Sequence, residues 1–140
     1  MNERGSILPL IGGAVALALV MVFGVASATS LLIERQRLFA LADGAAIAAA
    51  ESFDLQAVRQ SAFGVVAPLT NTGVKAAASR YLSAVGPGRL TGVALTHAHT
   101  PDGRIATVTM SSQWSPPLVS DFFPASISLS VTASSQAFIR

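Results

Sequence analysis

The 140-residue chain predicts an α+β fold: a long N-terminal helix leaving a membrane, a second amphipathic helix, and a small antiparallel sheet of about three strands. Three observations predict it. Residues Gly5–Ile33 run for 29 positions without a charged side chain. A helix-forming stretch without proline continues directly behind that run. Beyond Leu90, three segments alternate apolar and polar residues at the period of a strand.

The uncharged run comes first. At ~1.5 Å per residue, a helix of that length exceeds the ~30 Å hydrocarbon core of a bilayer. So much apolar surface would be costly to leave in water, and a lone helix offers no core in which to bury it. A retained anchor is the favoured reading, with Arg35 and Arg37 directly behind it as interfacial charges. A cleaved secretory signal is the alternative, because Ala26-Ser27-Ala28 supplies a small-x-small cleavage site; it implies a soluble domain released after Ala28. The Ser/Thr-rich remainder behind a short tail favours a single-pass chain, with its N-terminus cytoplasmic and its C-terminal domain extracytoplasmic.

The helix does not stop at the membrane. Glu34 to Glu51 is rich in Ala, Leu, Arg and Gln, so one helix is expected from about Ile7 to about Phe53. Its exported half has an apolar face at Leu38, Leu41, Ala42, Ala45, Ala46 and Ala49, spaced by three and four residues. Small side chains let helices approach closely, and Gly12, Gly13, Gly24 and Ala28 offer similar contacts within the membrane. The alanine row at 45–50 is expected to pack against a partner, either the chain's own domain or a neighbouring subunit. Asp43, just before Gly44-Ala45-Ala46, either faces water or pairs with an arginine on an adjacent helix; only a buried pair would make its loss costly.

A second helix follows the polar stretch Asp54–Asn71. Val74, Ala77, Ala78, Tyr81, Leu82 and Val85 form one stripe, while Lys75, Ser79 and Arg80 face away. Asn71 or Thr72 is expected to cap its start, and Gly86-Pro87-Gly88 to end it. Tyr81 reads as a packing residue. Strands are expected over Leu90–Thr100 and Arg104–Trp114, joined at Pro101-Asp102-Gly103. In the second of these, Ala106, Val108, Met110 and Trp114 share a face. In the last strand Ile127, Leu129, Val131 and Ala133 alternate with Ser128, Ser130, Thr132 and Ser134. The apolar face needs a cover, and the two helices are available for it. Phe122-Phe123, in the proline-bounded loop Ser115–Pro124, is expected to close the end of the core, with a partner-binding tip as the alternative. Three regions result: tail and transmembrane helix (1–33), exported continuation of the helix (34–53), and extracytoplasmic α+β domain (54–140).

Composition excludes several classes of function. The net charge is only +2, and nine Lys/Arg are scattered, so there is no basic track for nucleic acid. No cysteine is present, which removes disulfides, thiolate metal sites and Cys nucleophiles. His97 and His99, at i and i+2 in a strand, are weak metal candidates; only Asp102 lies near enough in sequence to be a third ligand. No catalytic motif occurs among so few carboxylates, so neither an enzyme, nor a cofactor, nor a small-molecule substrate is expected.

The segment containing Arg35, Arg37, Leu38, Ala42-Asp43 and Ala45-Ala46-Ile47-Ala48-Ala49-Ala50, behind an apolar helix opening with Arg4-Gly5-Ser6, resembles the TadE/TadG-like proteins of actinobacterial type. These are pilin-like membrane components of tight-adherence (Flp) pilus systems. Phe39, Leu41 and Ile47 stand where that family usually has Gln, Ala and Leu. The resemblance implies a non-catalytic role in building or anchoring an adhesive pilus, with other pilin-like subunits or assembly proteins as partners. Some family members are cut by a prepilin peptidase after a glycine. A cut after Gly5 would put Leu10 where processed members carry a glutamate.

Overall fold

The structure, a computed structural model, describes residues 7–53, 59–61, 64–66, 68–117, 120 and 124–136. The elements are α1 (Ile7–Ala50), β1 (Arg59–Ser61), β2 (Gly64–Val66), α2 (Asn71–Val85), β3 (Thr91–His99), β4 (Ile105–Trp114) and β5 (Ile127–Gln136). This is the expected α+β arrangement, with a long apolar first helix, a second helix and a three-stranded antiparallel sheet ordered β3-β4-β5.

Helix α1 is continuous over 44 residues, about 66 Å at the usual rise. Pro9 does not break it, because in the first turn a backbone N–H has no helical partner to lose. From Ile7 to Ala26 every residue is exposed, and partial cover begins at Ser27. From Leu38 onward one face is buried: Leu38, Ala42, Ala45, Ala46 and Ala49 are wholly inaccessible. The helix ends at Ala50 rather than Phe53, where the Ser52 hydroxyl donates to the Ala49 carbonyl at 2.6 Å.

The second layer of the core is the sheet. Helix α1 lies on β4 and β5, while α2 lies on β3 and against α1. On β4 the inward residues Ala106, Val108, Met110, Ser112 and Trp114 are all buried, opposed from β5 by Val131 and Ala133. The outward face is polar, with Thr107–Ser134 and Thr109–Thr132 hydroxyl pairs at 3.0 and 2.9 Å.

Several local features differ from the sequence expectation. The cap of α2 is Thr70, whose hydroxyl accepts from the Gly73 amide at 3.1 Å, not Asn71 or Thr72. Asn71 instead accepts from the Thr100 amide at 2.8 Å, tying the start of α2 to the end of β3. Gly86 ends α2 at φ 74°, as its freedom from Cβ strain allows. Val85 is 57% exposed: the apolar stripe outruns the surface available to cover it. Within the stretch read as merely polar, β1 and β2 form a short antiparallel pair. Strand β3 carries two irregularities against β4, between Thr91 and Ala94 and between Leu95 and His97. Gly92, at φ 61°, lies in the first. The second lets Leu95 and Ala98, three positions apart, oppose Met110 and Val108 on the same inner face. Phe122-Phe123 lies outside the described residues.

Candidate assembly helix

Helix α1 carries nearly all the residues singled out from the sequence, and the structure divides them into three groups. Gly12, Gly13 and Gly24 are exposed, and a Cβ built on any of them would meet nothing within 4 Å. Ala28 is exposed one turn later. Gly5 lies outside the described residues. Ala45, Ala46 and Ala49 form the second group, buried against the chain's own sheet and α2. Their small size lets the helix backbone sit close to β4 and β5. Arg35, Arg37 and Asp43 form the third group, all exposed on the second half of the helix.

The outward face of that half is not uniformly polar. Ile33, Phe39 and Ile47 are 43%, 50% and 46% exposed, and Asp43 lies between the last two at four-residue steps. Residues four apart share a helix face, so Phe39, Asp43 and Ile47 make one stripe of two apolar groups around a carboxylate. One turn below it stand the exposed Arg35 and Gln36, which separate it from the apolar surface of the first half.

Two contacts that hold α1 in place escaped sequence reasoning. The Trp114 indole N–H donates to the Ser30 hydroxyl at 3.4 Å, fastening the end of β4 to the helix across 84 positions of sequence. Farther along, Gly44 lies against the Tyr81 ring: a Cβ there would sit 2.6 Å from Cζ and 3.1 Å from Cε1. Gly44, the one glycine of the helix-forming stretch Glu34–Glu51, was the available signal, since glycine weakens a helix and a close approach accounts for it. Tyr81 is half-buried and packs on the core.

The remaining candidates do not converge. His97 and His99 are exposed on the outer sheet face, opposite Thr109 and Thr107. Among the described residues, no three His, Cys, Asp or Glu lie close enough to hold a metal ion. Asp102 instead builds the β3–β4 turn. Its Oδ1 accepts from the amides of Arg104 and Ile105, both at 2.9 Å, and these bonds hold its carboxyl below the ordinary range. A hollow of about 470 Å³ lies between α2 and β3, lined by Asn71, Lys75, Ser79 and Ala98.

No curated protein and no solved structure matches the chain. A family model described as Tad, putative Flp pilus-assembly TadE/G-like, matches residues 5–52, about a third of the sequence and nearly coincident with α1. Over that stretch, from the apolar run through the arginines, Asp43 and the alanine row, the chain carries the TadE/G-like segment that its residues resembled.

Proposed function

We propose that this chain is a non-catalytic, pilin-like membrane component of a tight-adherence pilus or related secretion assembly. Helix α1 crosses the bilayer once, its N-terminus is cytoplasmic, and the sheet with α2 is displayed outside. The observation that carries this reading is where exposure on α1 ends. The wholly exposed stretch Ile7–Ala26 is 20 residues long, about 30 Å, the thickness of the hydrocarbon core. Cover by the chain's own domain begins immediately after it.

The exported half then has two roles. Its buried row of small residues joins it to the sheet, and the outward stripe Phe39–Asp43–Ile47 meets a neighbouring subunit. Arg37 and Arg35 lie six and eight residues before Asp43. A parallel copy shifted along the axis by about 9 to 12 Å brings one of these arginines level with Asp43. Within the membrane, Gly12, Gly13 and Gly24 leave room for close helix contact.

Because the chain has no cysteine, single cysteines can report this packing. Phe39→Cys is expected to crosslink to another subunit in membranes, and Lys75→Cys, at an exposed position of α2, is not. Asp43→Ala is expected to impair accumulation of the assembly. An Arg37→Asp/Asp43→Arg exchange is expected to restore what either single change loses. Normal assembly of Asp43→Ala would end the pairing idea.

The alternative is a secreted soluble domain. A cut after Ala28 would spare Ser30 and every buried residue of α1, so the covered core is compatible with either fate. A mature N-terminus at Thr29 identifies it.

A further inference from the structure

We infer that the end of the sheet carrying Trp114 is seated in the phospholipid headgroup layer, so that the domain rests on the bilayer rather than being held above it. This rests on the reading that the first half of α1 spans the membrane. The uncharged part of α1 is longer than a span requires. From Ile7 to Ile33 it measures about 40 Å, against ~30 Å for the hydrocarbon core and ~40–45 Å once both headgroup layers are included. With Ile7 at the cytoplasmic boundary of the hydrocarbon, the outer headgroup layer, about 5–7 Å deep, takes in residues 27–31. The Trp114 indole is bonded to Ser30, within that interval.

The neighbouring chemistry suits the same layer. Ile127, paired with Trp114 across β4 and β5, is 51% exposed, and Leu32 on the adjoining turn of α1 is 58% exposed. Arg89 is exposed two residues before Thr91, which pairs with Gln113 next to Trp114. Exposed aliphatic groups and an arginine at one height, beside the buried Trp114 indole, fit the boundary between acyl chains and phosphates. At the opposite end of the sheet stand Asp102, Arg104 and the two histidines, a polar surface suited to water. The occupant of the Trp114 end is therefore the lipid surface, continuous with the apolar surface of α1.

Trp114 is the sole tryptophan, so its emission reports the height of this end. The full chain is reconstituted in phosphatidylcholine–phosphatidylglycerol vesicles carrying a nitroxide either at the headgroup or near the acyl-chain end, and flotation is measured on the same samples. The expected result is flotation with the vesicles, loss of most of the emission to the headgroup label, and less loss to the deep label. A Trp114→Phe/His99→Trp chain moves the indole about 23 Å along the sheet and is expected to escape both labels. Flotation without quenching of Trp114 overturns the seating while leaving the span intact. Stronger quenching by the deep label also overturns it, as does equal quenching of the relocated indole. Failure to float removes the span, and the seating with it.

Discussion

Gly44→Ala is the substitution whose sign the packing reverses. In an exposed helix the change stabilises by about 1 kcal/mol, because alanine loses less conformational freedom than glycine. Here the new Cβ would lie 2.6 Å from Tyr81 Cζ and 3.1 Å from Cε1, well inside the ~3.5–4.0 Å of carbon–carbon contact. The ring must swing away from α1, and such overpacking costs about 1–3 kcal/mol. Taking about 2 kcal/mol for the ring against 1 for propensity, Gly44→Ala alone destabilises by about 1 kcal/mol. In a Tyr81→Ala background the obstacle is gone, and the same change stabilises by about 1 kcal/mol. The assay is urea unfolding of the detergent-solubilised chain followed by Trp114 emission, arranged as a double-mutant cycle. A coupling of about 2 kcal/mol is expected. Equal stabilisation by Gly44→Ala in both backgrounds would refute the close approach of the two helices.

Other changes test the remaining contacts. Ala46→Leu forces three extra carbons between α1 and the sheet, and its expected cost of about 1–3 kcal/mol is read by the same unfolding assay. Met110→Ala empties a fully buried position and is expected to cost about 2–5 kcal/mol. Thr70→Ala removes the cap of α2 and should cost about 1 kcal/mol, whereas Thr72→Ala, an exposed first-turn position, should change little. Asp102 has its carboxyl pKa lowered in the fold, so its contribution is fully present above the unfolded value. That contribution is lost as pH falls through the lower, folded value. Asp102→Asn keeps an acceptor for the two amides, and a melt series in acid should show it lacking that part of the pH dependence.

Much of this fold is legible in sequence because its signals are local. The stripe of α2 and the alternation of β5 are periodicities that tertiary structure had only to cover, and the cover stops short at Val85. The alanine row of α1 states that a face exists but not what meets it, since alanine fits any closely approaching surface. The structure supplies the answer: Ala45, Ala46 and Ala49 meet the chain's own sheet, leaving Asp43 and its apolar neighbours outward. The irregularities of β3 were out of reach, because a bulge is defined by its cross-strand partner. Trp114 was readable as an inward strand residue, but not as the partner of Ser30. The β1–β2 pair carries no alternation long enough to announce itself.

On the reading that α1 spans a membrane, one arrangement serves two environments. In α1 a single helical geometry is lined first by large apolar groups suited to lipid and then by small ones suited to close packing. The change falls near the first charges, Glu34, Arg35 and Arg37. A helix that crossed only the membrane would need no such row beyond it. One confined to a soluble core would not expose Ile7, Leu8, Leu10, Val20 and Val22 as this one does.

The central claim, that α1 remains a membrane span joined to a displayed domain, is tested most directly by fractionating cells and measuring the intact mass of the chain. The account predicts a chain that stays with the membrane through alkaline extraction and still contains Ile7–Ile33, whether or not a peptidase has cut after Gly5. A soluble product beginning at Thr29 would contradict it.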